Sequence, residues 1–95
     1  NTSDIIYVEA NGRNCIIRTL VDSYHCPKSL NKVYSLLPKN CFFVTHRSFV
    51  VNFNYITSFD KSNIKLINGE IAKISRDRYS SFVDALNIYY RDYTL

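Results

Sequence analysis

Cys41 and His46 stand five residues apart, and a thiol beside an imidazole is the least that an activated nucleophile requires. Cys41, however, opens an apolar stretch, Cys41-Phe42-Phe43-Val44, where an inert buried thiol is the usual occupant. Five steps along a regular strand also put two side chains on opposite faces, which separates this pair. The carboxylates are scattered along the chain, with no couple suited to acid–base work. Both glycines, Gly12 and Gly69, follow asparagines in turns, so none remains for a phosphate-cradling loop. His25 beside Cys26 lacks a second ligand pair at metal-binding spacing. The residues therefore predict no enzyme, no metal centre and no cofactor.

The cations are more informative. Three polar clusters fall where the chain changes direction, at residues 11–14, 45–48 and 75–78, and each holds arginine: Arg13, Arg47, then Arg76 with Arg78. Arginine offers a planar fork suited to guanine edges or phosphate. Asn11, Asn14 and His46 add amide and imidazole groups able to read base edges. Ser75, at the start of a helix, would present free backbone N–H groups to a phosphate. Taken singly, each cluster is also consistent with a turn that is polar because it is wet. Ser75 fits equally as a helix cap, and His46 as a satisfied core histidine with Arg47 covering apolar surface. The 45–48 cluster resists that reading most, because it contains neither Gly nor Pro and is a poor tight-turn sequence.

The elements that must hold these clusters are mostly strands. Residues 4–10, 15–21 and 24–26 are rich in β-branched and aromatic types, and Asn11-Gly12 marks the first reversal. Residues 29–37 break the pattern: Leu30, Val33, Leu36 and Leu37 recur at helical spacing, Ser29 can cap the start and Pro38 stops the helix. Strand character returns at 41–44, 49–51 and 55–59. Residues 64–67 and 70–74 flank Asn68-Gly69 and predict a hairpin on a two-residue turn, with Leu66 facing Ile71. Tyr79, Phe82, Val83 and Leu86 then recur at i, i+3, i+4 and i+7, a closing helix capped by Ser75. No helix pair exists for a helix-turn-helix, since some thirty-five residues of strand-like sequence lie between the two helices.

Ninety-five residues make one domain, and 46% hydrophobic with 15% aromatic content is enough for a proper core. Twelve Lys and Arg against eight Asp and Glu give a formal charge of +4 and a pI near 9.1, which suits a polyanionic partner. No apolar run approaches the ~18–20 residues of a membrane span. The chain begins at Asn1, as expected of a piece cut from a longer protein. Its odd cysteine number, with long gaps between Cys15, Cys26 and Cys41, argues against a disulfide framework and for reduced thiols in a cytoplasmic protein.

His46-Arg47-Ser48-Phe49-Val50-Val51-Asn52, followed by Tyr55-Ile56, resembles the signature of the LytTR DNA-binding domain. The resemblance runs over nearly the whole chain, through Ile5-Ile6-Tyr7-Val8-Glu9-Ala10, Ser29-Leu30, Phe42-Phe43, Asn68-Gly69 and Ile74-Ser75-Arg76. It implies a mostly β fold of small antiparallel sheets stacked end to end, with a short middle helix and a C-terminal helix. It also implies the output module of a bacterial response regulator, downstream of a receiver domain. Such modules insert loops into successive major grooves of bent double-stranded DNA, commonly at paired direct repeats, where a dimer can form. Carried over by position, Asn11, Arg13, Asn14, His46, Arg47 and Arg76 are the base-reading residues. Lys39, Thr45, Ser48, Lys61, Lys73, Ser75 and Arg78 are assigned to the DNA backbone. Where the family often has arginine, this chain has Val44. The rival expectation is a β-rich protein-interaction or dimerisation module that does not bind DNA.

Overall fold

A computed structural model of the chain describes residues 1–93. After a 3-10 turn at Thr2–Asp4, five strands form one antiparallel sheet: β1 (Ile5–Asn11), β2 (Asn14–Thr19), β3 (Ser23–Cys26), β4 (Phe42–His46) and β5 (Phe49–Asn52). Their order is β3-β2-β1-β5-β4, so β1 and β5, distant in sequence, are neighbours at the centre. Helix α1 (Leu30–Ser35) spans the connection from β3 to β4. A 3-10 turn at Phe53–Tyr55 leads to the second sheet, β6 (Ile56–Phe59), β7 (Asn63–Leu66) and β8 (Ile71–Lys73), paired in chain order. Helix α2 (Tyr79–Tyr93) closes the chain.

The period-2 alternation of the central strands sorts side chains onto two faces. Val50 of β5 faces a core built with Val8, Phe42, the α1 residues Leu30 and Val33, and Leu37 just beyond the helix. Phe49, Val51 and Phe53 face the other way, against Ile64, Leu66 and Ala72 of the second sheet and Phe82 and Leu86 of α2. Ile6 and Tyr7 share that second core although adjacent, because the register of β1 shifts between Ile5 and Tyr7. The α2 stripe packs as its spacing predicts, with Tyr79, Val83 and Tyr89 flanking buried Phe82 and Leu86. Each fully buried Phe or Leu contributes roughly 1.5–3 kcal/mol, so the second core is what joins the two sheets. Asn52, at the end of β5, is fully buried, its Nδ2 donating to the Ile5 carbonyl at 2.9 Å and its Oδ1 accepting from Asn54 N–H at 2.9 Å.

Three local expectations need correction. The hairpin after β7 has a three-residue loop: Leu66 lies opposite Glu70, Lys65 opposite Ile71, and Gly69 takes φ +87° as the left-handed residue. That shift by one position keeps Leu66 in the core and leaves Ile71 half exposed, where the two-residue turn would have paired them. Ser75 does not cap α2: the chain first makes a 3-10 turn at Arg76–Arg78, and no side-chain bond from Ser75 closes its start. The segment expected as one strand at 55–59 begins instead as the Phe53–Tyr55 turn, tied down by the Asn52 amide. Ser29, by contrast, caps α1 as expected, accepting Lys32 N–H at 3.2 Å.

Candidate nucleic-acid interface

The turn between β4 and β5 is built without glycine. His46 pairs with Phe49 across the hairpin, and the register slips between Val44 and His46, which bulges Thr45 inward. The His46 Nδ1 accepts the Ser48 N–H at 3.0 Å, doing for this turn what an Asn or Asp carbonyl does elsewhere. In the neutral ring the proton then sits on Nε2, the nitrogen that remains to donate. The ring packs edge-on against Phe49 at 5.9 Å, and Arg47 stands exposed at the apex.

Backbone hydrogen bonds bring the other clusters to this turn. Ala10 N–H donates to the Ser48 carbonyl at 2.8 Å, which lays the end of β1 beside the β4–β5 turn. The 11–14 turn therefore projects at the same end of the sheet. Gly12 takes φ +64° at its first central position, and Arg13 beside it is exposed. On the other side, Ser75 N–H donates to the Thr45 carbonyl at 2.9 Å, and Arg78 Nη1 donates to the Val44 carbonyl at 3.2 Å. Thr45 Oγ1 donates to the Lys73 carbonyl at 2.8 Å. Arg76 is thus anchored next to a hairpin that lies about thirty residues earlier in the chain.

A groove of about 410 Å³ opens beside that junction, lined by Lys61, Ser62, Ile74, Arg76 and Tyr79. The Ile74 N–H donates to the Ser62 carbonyl at 2.9 Å, which holds Lys61 near Arg76. Asp60, on the same loop, accepts the Ser62 and Asn63 N–H groups at 2.8 Å each. These bonds hold its carboxyl below the usual carboxylate range and commit it to shaping the turn. Arg13, Arg47, Lys61, Lys73, Arg76 and Arg78 are all exposed side chains of this end, against the exposed Asp60 and Asp77. A surface of this sign attracts a polyanion, and its loops stand on a rigid sheet.

Not every residue expected here can take the role expected of it. Thr45 is fully buried, with its hydroxyl committed to Lys73, so it positions the turn and does not reach a phosphate. Ser75 spends its N–H on the Thr45 carbonyl and directs its hydroxyl to the same oxygen at 3.4 Å, so both of its own donors are turned to the β4–β5 hairpin. Lys39 lies beyond the opposite end of β4, about 13 Å of strand from His46. Its ammonium donates to the Tyr34 and Leu37 carbonyls at 2.6 and 2.7 Å, capping α1, and sits over the Tyr34 ring at 4.4 Å. The same separation keeps Cys41 from His46, and no cluster of metal-ligating side chains occurs among the described residues. Ser62 and Tyr79, which line the groove with Arg76, were not expected at a site: Ser62 falls in a separate turn, and Tyr79 reads from its spacing as the first residue of the α2 apolar stripe.

This architecture has counterparts. The family model of the LytTr DNA-binding domain matches residues 1–87. The chain belongs to the LytTr DNA-binding domain family. Its structure matches a solved LytTr DNA-binding domain from a Bacillus cereus protein described as a methyl-accepting/DNA response regulator, with a TM-score of 0.77 and 28% identity. That match covers 90% of this chain and 83% of the other. The transcriptional regulatory protein NatR of Bacillus subtilis is 38% identical over 56 residues, 59% of this chain. The transcriptional regulatory protein YpdB of Escherichia coli is 38% identical over 58 residues, 61% of this chain. Each match covers 24% of the relative's length, so the matched stretch spans about a quarter of those proteins. No helix among the described residues is long and apolar enough to cross a membrane.

Proposed function

We propose that this LytTr domain binds double-stranded DNA in a sequence-dependent manner, with Asn11, Arg13, Asn14, His46, Arg47 and Arg76 meeting base edges in the major groove. Ser48, Lys61, Lys73 and Arg78 hold the flanking phosphates, and the domain contributes to transcriptional control, without catalysis, in the cytoplasm. In the whole protein, a receiver domain precedes it and governs its access to paired direct repeats, on which two copies sit together. One observation carries the reading: the bonds from Val44 and Thr45 to Lys73, Ser75 and Arg78 gather arginine-bearing clusters from distant parts of the sequence at one end of the molecule. A wet turn needs no such anchoring to its neighbours. Arg47 at a hairpin apex offers the bidentate fork that matches guanine, while lysines serve as point charges for phosphate.

The test is selection from a randomised duplex pool, with an Arg47→Ala variant carried in parallel. A sharp motif that blurs at a few positions in the variant is the expected result. On the selected duplex, Arg47→Ala and Arg76→Ala each cost about 1–3 kcal/mol, and affinity falls steeply with added salt. A pool that stays unenriched, or variants that bind like the wild type, would overturn the assignment.

A further inference from the structure

The three cysteines are far apart in sequence, yet the fold sets two of them directly opposite one another. In the antiparallel pairing of β2 with β3, Cys15 is the cross-strand partner of Cys26. Side chains so paired share one face of the sheet, with Cα atoms about 4.5–5.5 Å apart, inside the range a disulfide spans. Both thiols are free, and they lie within hydrogen-bonding reach of each other. Cys15 is fully buried against the α1 core, while Cys26 is partly exposed on β3, the outer strand of the sheet. Tyr24 and His25, beside Cys26, are exposed as well, so β3 is the element best placed to open locally.

We propose that Cys15 and Cys26 form a reversible intramolecular disulfide when the protein meets a low-molecular-weight disulfide, and that the bond locks the β3 edge onto β2. The thiolate of Cys26 attacks one sulfur of the small disulfide, giving a mixed disulfide and releasing one small thiolate. Opening of β3 lets the Cys15 thiolate attack the Cys26 sulfur, which forms the protein bond and expels the second small thiolate. The protein loses two protons and two electrons, and the oxidant is reduced to two thiols. Burial pushes the Cys15 thiol up to about 11, so Cys26 is the entry point and Cys15 the resolving partner. This pairing is separate from the proposed interface, although Cys15 directly follows Asn14 in the first loop.

The experiment is incubation of the folded chain with oxidised glutathione, followed by intact mass, non-reducing peptide mapping and amide hydrogen exchange. The expected protein loses two hydrogens without a lasting glutathione adduct, links the Cys15 and Cys26 peptides, and reverts with a reductant. Cys41→Ser behaves identically, while Cys15→Ser stops at the glutathione adduct on Cys26. Exchange of the β3 amides slows by about tenfold or more in the oxidised form. An unchanged mass, a stable glutathione adduct on the wild type, or a crosslink through Cys41 would overturn the pairing. Unaltered β3 exchange in the crosslinked protein would overturn the lock. The wild-type and Cys41→Ser measurements decide the matter even if substitution of buried Cys15 prevents folding.

Discussion

Thr45→Val separates positioning from contact at the candidate interface. Valine keeps the shape of the buried side chain and removes only the hydroxyl that donates to the Lys73 carbonyl at 2.8 Å. The bond from Ser75 N–H to the Thr45 carbonyl survives, since it involves backbone alone on both sides. The Lys73 carbonyl is left short of a donor in a part-buried place, which costs about 1–2 kcal/mol, the lower part of the range for an unmade buried bond. In a domain of this size each kcal/mol lowers the melting temperature by about 4–8 °C. Urea unfolding followed by far-UV circular dichroism reads the change as a lower midpoint with unchanged slope. Under conditions where both proteins are folded, affinity for the selected duplex falls several-fold, because the β4–β5 turn and the Arg76 segment lose a shared anchor. A midpoint equal to that of the wild type refutes the positioning role of Thr45. Equal stability combined with lost affinity would mean that the hydroxyl contacts DNA itself.

Other perturbations test the frame around the site. Asn52→Ala strands the Ile5 carbonyl and the Asn54 N–H together, so chemical denaturation is expected to show a loss of about 2–4 kcal/mol. Gly69→Ala meets open space but must hold φ +87°, and a melting curve should register a cost of about 1 kcal/mol from backbone strain alone. At alkaline pH the fold loses stability in two overlapping windows. Burial pushes the Cys15 thiol from 9.0 up to about 11. Burial, then the negative charge of Glu70, pushes the Tyr7 phenol from 10.0 up to about 12. In each case the unfolded chain gives up its proton first, so stability is full below about pH 9 and falls as pH rises through these ranges. Urea midpoints measured from pH 8 to 12 should show the decline, and Cys15→Ser should flatten its lower part.

Much of this architecture is legible in the residues because it is local. Strand alternation, the Ser29 cap, the α2 stripe from Tyr79 to Leu86 and the reversals at Gly12 and Gly69 depend on side chains a few positions apart. The His46-Arg47-Ser48 turn stood out because a cation and an imidazole interrupt an apolar run. The hairpin register was harder to read, since Asn68-Gly69 suits both a two-residue and a three-residue loop. Only burial of Leu66 and Ala72 against α2 chooses between them.

The sequence by itself determined the elements and most of the exposed groups proposed to meet a partner, because periodicity, capping and turn chemistry act over short distances. The tertiary structure decided which polar residues are available to that partner. Thr45 and Lys39 look like equally good phosphate ligands in the sequence. Thr45 is turned inward by a bulge whose register depends on its pairing with β5, and Lys39 is drawn to the Tyr34 and Leu37 carbonyls at the end of α1. The gathering of three loops at one end, and the meeting of Cys15 with Cys26, follow from strand order and register. Those are set by burying two faces of one sheet at once, a condition no short stretch of residues can express.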